Sequence, residues 1–300
     1  MTRWDVVGVG ENSVDVVYGL ARRKRCVSPG GQVATTLCTC AALGLRAAYV
    51  GTFGHDENAR LGRDELERRG VHTGTAWTRY APNRCAVILV DERGDRTVFW
   101  QRDPALRLRP EEIVPDVITR ARLLHVDNVD EDAAIRAARI ARDAGMHVTT
   151  DIDQVTPRTM DLVRAATIPI LAEHVPHALT GDGNLERALR TLGGDRKGMM
   201  CVTLGARGAM LLDEDRLHHA SALPVDAVDT TGAGDVFRGA FIYALLRGDA
   251  PEGILRYANA AAAASCTRAG AIGGVPTLEE VDDYFFNRTN PSGGTTSETE

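Results

Sequence analysis

Residues 229–235, Asp-Thr-Thr-Gly-Ala-Gly-Asp, place three small residues and an acid where an extended stretch turns into a helix. The helix is predicted to be amphipathic, with one apolar face formed by Val236, Phe237, Ala240, Phe241 and Ala244. Such small residues let successive backbone N–H groups point into one cavity, and the helix dipole adds positive potential there. Gly232, Ala233 and Gly234 are therefore predicted to form an anion hole. A carboxylate beside an anion site is otherwise unfavourable, so Asp235 suits a general base that deprotonates a hydroxyl attacking a phosphoryl group.

A structural interpretation of the same residues stays open on this motif alone. Gly232 and Gly234 could merely shape a turn, with Asp235 as a helix cap, because short glycine motifs are weak evidence. A second glycine pair, Gly30 and Gly31, leads into another helix start about 200 residues earlier. Two such turns favour the functional interpretation.

The elements that must position these turns alternate between strands and helices. Short apolar runs predict strands at 5–10, 47–51, 123–127, 147–151, 168–172 and 199–205. Helical patterns, each closed by a glycine, cover 35–43, 57–69 and 131–144. This order predicts an α/β fold, a three-layer α/β/α sandwich with a mostly parallel central sheet, whose ligands bind beyond the carboxyl ends of the strands.

Residues 83–103 break this rhythm with two β-rich runs joined by a polar turn at Gly94, which predicts a hairpin. A hairpin inserted into an α/β series needs a cover for its apolar side, such as a ligand or a second subunit. We therefore expect it to act as a lid. The polar, glycine-rich segment 287–300 is expected to be a disordered tail.

Composition limits the classes of partner. The net charge of −6 argues against nucleic acid, because binding a polyanion needs a basic face. No apolar run approaches the roughly 20 residues of a membrane span, and Asp5 interrupts the apolar start, which is therefore read as a strand. We expect a cytoplasmic protein with a small-molecule partner and no membrane or nucleic-acid partner.

With these motifs in place, the sequence resembles the ribokinase-like (phosphofructokinase-B type) carbohydrate kinases over residues 4–286. Four regions match in the family's order: 30–71, 202–211, 228–248 and 258–276. The resemblance implies a single ribokinase-like domain, 1–286, with lid segments at about 16–29 and 83–103. It also implies ATP and Mg²⁺ as cofactors, a small sugar as substrate, and a homodimer formed through the lid.

The resemblance also implies roles for individual residues. It makes Asp235 the base and the amides of Gly232, Ala233 and Gly234 the anion hole. The implied sugar contacts are Asp15, Gly30, Gly31, Asp127 and Asn128, and the implied nucleotide contacts are Thr203, Gly205, Gly208 and Asn259. Carbonyl groups near Asp229 and Thr231, with the loop 267–273, are implied as an optional K⁺ site. Each role has a structural alternative, such as a turn at Asp15 or a cap at Asn259.

The sequence departs from the family pattern at several positions. Thr35 stands where the family usually has an Asn that touches a sugar hydroxyl. "AEHV" at 172–175 replaces an Asn-x-x-Glu motif, and we hypothesise that Glu173 supports Mg²⁺ through water. Fourteen residues separate Asp15 from Gly30, so the lid is expected to consist mostly of the 83–103 hairpin.

The charge of the substrate stays open at this point. Arg102 and the basic cluster at 21–26 could attract an anionic sugar or the ATP phosphates, or could be solvated surface groups. The predicted function is ATP-dependent phosphorylation of a hydroxyl, preferably primary, on a small sugar or polyol. The alternatives are a nucleoside kinase and a non-catalytic sugar- or nucleotide-binding regulator on the same fold.

Overall fold

A computed structural model describes residues 3–19, 24–90, 96–194 and 198–287. The strands are β1 (Trp4–Val9), β2 (Ser13–Gly19), β3 (Lys24–Gly30), β4 (Ala47–Val50), β5 (Thr52–Phe53), β6 (Trp77–Thr78), β7 (Cys85–Val90), β8 (Arg96–Gln101), β9 (Ala121–Asp127), β10 (His147–Asp151), β11 (Ile170–Ala172), β12 (Met199–Thr203), β13 (Ala209–Asp213) and β14 (Arg216–Ala220). The α-helices are α1 (Gln32–Ala42), α2 (Glu57–Arg68), α3 (Pro115–Ile118), α4 (Glu131–Asp143), α5 (Thr159–Ala165), α6 (His174–Thr180), α7 (Leu185–Gly193), α8 (Ala233–Arg247), α9 (Pro251–Ser265) and α10 (Leu278–Asn287).

The central sheet is mostly parallel, as predicted. Its first half has the order β10-β9-β1-β4, with every neighbouring pair parallel. Parallel bridges, Thr149 to Ile168 and Ile152 to Leu171, continue it towards β11 and β12. Only β13 and β14 join antiparallel, at the far edge. Parallel strands put all their carboxyl ends on one side, which is where ligands of such sheets bind.

Helices cover both faces of this sheet, which confirms the predicted three-layer sandwich. Along β1, Val6 faces a core that includes residues of α1, α8 and α9, whereas Val7 faces a core that includes α4 and α5. The alternation follows from the two-residue period of a strand. Strands buried on both faces explain why the sequence shows apolar runs rather than alternation.

Helix α8 corrects one detail of the sequence interpretation. The predicted apolar face, which includes Val236 and Phe241, is buried, but Arg238, Gly239 and Ile242 are buried as well. The helix is therefore enclosed on all sides rather than amphipathic. Gly239 makes this possible, because a Cβ at this position would lie 2.5 Å from the Cβ of Thr39 on α1.

A small mixed sheet lies apart from the central one, in the order β3-β2-β7-β8, with a parallel pair, β2 and β7, between two antiparallel pairs. Strands β7 and β8 form the predicted hairpin, pairing Cys85 with Gln101, while its turn at Gly94 lies outside the described residues. The hairpin supplies only two of the four strands of this sheet. The other two, β2 and β3, come from residues 13–30 and pair along their whole length. That these strands act as a lid stays a prediction.

The predicted glycine closures of three helices are confirmed. Gly44, Gly70 and Gly145 all have positive φ values, 92°, 84° and 74°, directly after α1, α2 and α4. At the chain's end, Asn287 belongs to α10, and the rest of the predicted tail, 288–300, lies outside the described residues. Among the described helices, none has the length and apolar character needed to cross a bilayer.

The close approach of α1 and α8 gives a stability prediction. Gly239→Ala should lower the free energy of unfolding by about 1 to 3 kcal/mol, because the added methyl has no room beside Thr39. Gly253→Ala in α9 is the matched control, since its Cβ would lie 3.7 Å from Asp249 and should be neutral or slightly stabilising. Denaturant unfolding measures both, and equal effects would contradict the packing argument.

Candidate active site

A cavity of about 500 Å³ lies between the carboxyl ends of the central strands and the small sheet. Its lining residues come from the ends of β1, β9 and β10, from β2, β7 and β8, and from the starts of α1 and α8. They are Glu11, Ser13, Asp15, Gly31, Gln32, Ala86, Ile88, Trp100, Arg102, Asn128, Val129, Asp153, Gln154, Thr156, Thr231, Gly232, Asp235 and Ala271. The cavity therefore gathers residues of both predicted glycine turns.

The start of α8 forms one wall of the cavity. Gly232 precedes the helix with φ 77°, and a Cβ there would lie 2.7 Å from the Cα of Ala271, so only glycine fits without strain. The Ala233 amide donates to the Thr230 carbonyl oxygen at 3.2 Å. The three amides of the predicted anion hole are thus not equivalent, and those of Gly232 and Gly234 are the better candidates. The Thr36 hydroxyl also donates to the Asp235 carbonyl oxygen at 3.1 Å and ties α1 to this turn.

Asp235 lines the cavity, and its carboxyl has an unusual electrostatic environment. Burial raises its pKa well above the ordinary value, and the neighbouring carboxylate of Asp151 raises it further. The two side chains are near enough to interact directly, and a hydrogen bond between them would require a proton on one of the carboxyls. Arg238 opposes both effects by stabilising negative charge. A carboxyl with a perturbed pKa in a cleft is the usual signature of an acid-base group.

Asp15 lies on the opposite wall, on β2. Burial raises its pKa to about 6, while a hydrogen bond from Ser13 opposes this and the charge of Asp229 adds to it. A Cβ at Gly30 would lie 3.1 Å from an oxygen of Asp15, so a larger residue at Gly30 would crowd this carboxylate. The structure thus places Asp15 and Gly31 at the cavity, with Gly30 beside the Asp15 carboxylate, and their role in binding a sugar stays a prediction.

Glu11 is the main residue that the sequence interpretation missed. It is almost fully buried, and its carboxylate accepts from Arg102 at 3.2 and 3.4 Å. The Arg102 guanidinium also stacks 4.1 Å from the ring centre of Trp100. The position of Glu11 directly after the first strand was the available signal. Arg102 lines the cavity as expected, but its charge is already matched by Glu11.

Asp127 requires a correction. It is fully buried, and its two oxygens accept from the Glu11 amide at 2.6 Å and the Val129 amide at 3.0 Å. Among the described residues it does not line the cavity. It therefore holds the ends of β1 and β9 together instead of contacting a substrate. Its neighbour Asn128 does line the cavity, and its amide donates to the Gln154 carbonyl oxygen at 2.8 Å.

Thr35 also lies away from the described lining. It is fully buried in the first turn of α1, and its hydroxyl finds no hydrogen-bond partner among the described residues. Gln32, one turn earlier on the same helix, lines the cavity instead.

The predicted nucleotide residues gather at the end of β12 and the loop after it. Gly208 adopts φ 92°, and a Cβ there would meet the Ala220 carbonyl oxygen at 2.0 Å. The Asn259 side chain donates to the carbonyl oxygens of Ala220 and Ser221 at 2.9 and 3.2 Å. Thr203 and Gly205 flank the same loop. Asn259 therefore fixes the backbone around the predicted nucleotide site, and its amide donors are already used.

Asp229 joins two loops at the predicted cation site. Its carboxylate accepts from the Thr231 amide at 2.9 Å and from the Gly270 amide at 2.9 Å. The segment before α8 and the loop after α9 are thus held side by side. Glu173 lies elsewhere: it pairs with Arg207 and lines a different cavity with His174 and His177. The described part of the chain holds no cluster of three His, Cys, Asp or Glu side chains suited to a metal.

This arrangement, a glycine-rich helix start with a half-buried carboxyl, in a cavity that other carboxyl and amide side chains also line, suits phosphoryl transfer to an alcohol. Residues 16–278 match the pfkB family carbohydrate kinases, and the chain belongs to that family. It is an ATP-dependent carbohydrate kinase, as the sequence predicted.

Known proteins support the assignment over the whole chain. The chain is 28% identical to a fructokinase-2 from Oryza sativa subsp. japonica, covering 95% of each sequence. A ribokinase structure from Thermotoga maritima superposes with a TM-score of 0.83 at 26% identity, covering 95% of this chain and 100% of that one. A ribokinase-fold protein from E. coli, solved with ATP and Mg²⁺, has a TM-score of 0.81 at 22% identity, with 93% and 98% covered.

The raised pKa of Asp15 gives a prediction with a defined sign. The protonated form stabilises the fold in acid, and this stability is lost as the pH rises through about 6. Asp15→Asn removes the loss, so it should raise the melting temperature at neutral pH and leave it unchanged in acid. It should also weaken sugar binding, because the amide accepts fewer hydroxyl hydrogen bonds. Asp226→Asn, at an exposed carboxyl, is the control, and matching melting curves for the two variants would contradict the prediction.

Proposed function

We propose that the cavity binds a small neutral sugar and that Asp235 deprotonates one of its hydroxyls during transfer of the γ-phosphoryl group of ATP. The observation that carries this proposal is the position of Asp235, whose carboxyl lines the cavity at the start of α8. A base is useful only within reach of the proton it removes, and this carboxyl faces the space where the sugar would lie.

The reaction is an in-line transfer. The sugar O–H bond breaks as its oxygen bonds to the γ-phosphorus, and the proton goes to Asp235. The bond from the γ-phosphorus to the bridging oxygen breaks, and its electron pair leaves with ADP. The free amides of Gly232 and Gly234, at the positive end of α8, are placed to offset charge on the transferring group. A primary hydroxyl is the preferred acceptor in this proposal, because it is the least hindered hydroxyl of a sugar.

The charges of the cavity favour a neutral substrate. Four carboxyl groups line it, from Glu11, Asp15, Asp153 and Asp235. Arg102 is the single cationic side chain among the described lining residues, and Glu11 already pairs with it. A sugar phosphate or sugar acid would meet net negative potential there. Carboxylates and amides such as Asn128 and Gln32 instead match the donors and acceptors of sugar hydroxyls.

A nucleoside is less well matched to the same cavity. Nucleobases bind by stacking on aromatic rings, and Trp100 is the one aromatic side chain among the described lining residues. The Arg102 guanidinium already covers that ring. A sugar without a base therefore fits the lining better.

Magnesium would enter with the nucleotide. Mg²⁺ is commonly held by substrate phosphates with few protein carboxylates, which suits a described chain without a three-ligand site. It would neutralise phosphate charge while the amides at the α8 start orient the transferring group. Glu173 as a support through water, and K⁺ near Asp229 and Thr231, remain predictions.

The test is ADP release with Mg·ATP across neutral ketoses, aldoses, polyols, sugar phosphates, sugar acids and nucleosides. Neutral sugars should support turnover, whereas phosphorylated and acidic sugars should not. Asp235→Asn should lower kcat by about 10² to 10⁴-fold with a small effect on ligand binding. Asp226→Asn, an exposed carboxyl in the preceding loop, should leave turnover unchanged.

Three outcomes would contradict this proposal. Turnover with an acidic sugar alone would overturn the charge argument, and turnover with a nucleoside alone would overturn the sugar assignment. Wild-type turnover in Asp235→Asn would remove it as the base. If no compound supports turnover while a sugar or nucleotide raises the melting temperature, a binding regulator becomes the better account.

We infer further that the small sheet closes the cavity as a lid and pairs with a second copy of the chain. Asp15, Ala86 and Trp100 face the cavity, whereas Val16, Val87 and Phe99 form the opposite row of the same three strands. Phe99 is 56% exposed. Val16 is 8% exposed, so the exposed apolar surface of this row lies at its β8 end, and such a surface favours association. Because ATP is supplied in the cytoplasm, we place the enzyme there.

The dimer is testable by light scattering after size-exclusion chromatography. Phe99→Asp should shift the mass from a dimer to a monomer, because a charge in an apolar interface has no partner. Asp143→Asn, at an exposed carboxyl of α4, should leave the dimer intact. A wild-type protein that runs as a monomer at all concentrations would contradict the inference.

A further inference from the structure

A buried ion pair lies directly behind the proposed base. The Arg238 guanidinium donates to the Asp151 carboxylate at 2.7 Å, and these side chains are 4% and 2% exposed. Asp151 ends β10, and Arg238 lies one turn after Asp235 on α8. Among the described lining residues of the cavity neither of them appears, so neither is placed to contact the sugar.

Asp151 connects this pair to Asp235. Its second oxygen, Oδ2, is buried and receives no donor from nitrogen or hydroxyl groups of the described residues. An unpaired carboxylate oxygen is costly inside a protein. A proton shared with the Asp235 carboxyl satisfies it, since the two carboxyls are within hydrogen-bonding reach. The result is a chain of contacts from Arg238 through Asp151 to Asp235.

Arg238 also lies beneath the anion-binding turn. A Cβ at Gly234 would lie 2.9 Å from Arg238 Nη1, so the guanidinium runs directly under the backbone that precedes Asp235. Gly234 therefore allows the cation to approach. No partner for Arg238 Nε is found among the described residues, so Asp151 is its main charge partner there.

We propose that Asp151 and Arg238 are positioning residues for Asp235, holding its carboxyl at the cavity and setting the pH range in which it can act as a base. The proposal rests on the proposed function of Asp235. Asp151 makes ionisation of Asp235 harder through its negative charge, and Arg238 makes it easier. Two buried carboxyls so close share one proton and titrate as a pair.

Other charged or titratable groups face the same pair. Asp153, two residues beyond Asp151, adds negative charge from the cavity side. His125 on β9 is buried with its Nδ1 3.0 Å from the Thr149 hydroxyl, and burial together with Arg238 lowers its pKa to about 3. His125 therefore stays neutral in the range where the enzyme would act. The balance at Asp235 is set by Asp151 and Asp153 against Arg238.

The test is the pH dependence of kcat/KM, measured with the neutral sugar of highest turnover. The acid limb of this profile is the range in which kcat/KM rises with pH as the base loses its proton. Asp151→Asn should move this limb to lower pH by about one pH unit or more, because Asp235 loses its charged neighbour. Arg238→Gln should move it to higher pH, because the stabilising cation is gone. The position of a limb does not depend on the amount of folded enzyme, so partial misfolding does not obscure it.

A control separates positioning from general destabilisation. Arg84 and Asp130 form another buried pair, 4% and 5% exposed, away from Asp235. Arg84→Gln should destabilise the fold without moving the acid limb. The proposal would be overturned if the acid limbs of Asp151→Asn and Arg238→Gln coincided with that of the wild type. It would also be overturned if both limbs moved in the same direction.

A second readout works without catalysis. Because the pKa of Asp235 is raised in the folded state, its contribution to stability is present in acid and is lost as the pH rises through that pKa. The fall in melting temperature from acidic to alkaline buffer should be smaller in Asp151→Asn and larger in Arg238→Gln. If no sugar supports turnover, the proposed function fails while this measurement still decides the coupling.

Discussion

The ionisation of Asp235 is the constraint on which the rest of the structure depends. A carboxyl at the start of α8 gains from the helix dipole but loses its hydration, and burial dominates. The elements packed around Asp235 each affect this balance between the helix dipole and burial. Gly232 and Gly234 let backbone and guanidinium come close, α1 holds the turn through Thr36, and β10 brings Asp151 beneath it.

Carboxyl groups that burial makes harder to ionise also line another wall of the cavity, where the sugar is proposed to bind. Asp15 and Glu11 are also carboxyls whose pKa burial raises, so their ionised forms lower the stability of the fold. Stability lost at such groups is regained when a ligand supplies hydroxyl donors. The small sheet carries Asp15 and Arg102 to this cavity, and its movement would bring or remove those groups together. Under the proposed function, substrate selection and lid closure would therefore depend on the same element.

Much of the fold and part of the candidate site could be predicted from the sequence, because they depend on patterns among residues close together in the chain. Glycine after α1, α2 and α4, the apolar strands, and the two glycine turns all have short-range signals. The errors concern contacts between distant segments. Asp127 was assigned as a sugar contact, but its carboxylate accepts a hydrogen bond from the Glu11 amide. The ion pair between Glu11 and Arg102 was missed because it joins residues 91 positions apart. The pairing of Arg238 with Asp151 is equally invisible, because it depends on β10 lying beneath α8.

The central claim is that Asp235 is a buried carboxyl whose ionisation is controlled by its neighbours. Titration of the aspartate side-chain carbons by ¹³C NMR tests it most directly, with Asp235→Asn to assign the signal. We predict a carboxyl that titrates well above the ordinary range of aspartate and whose signal is missing from the variant. A variant spectrum that loses only a signal titrating at an ordinary value would contradict the account.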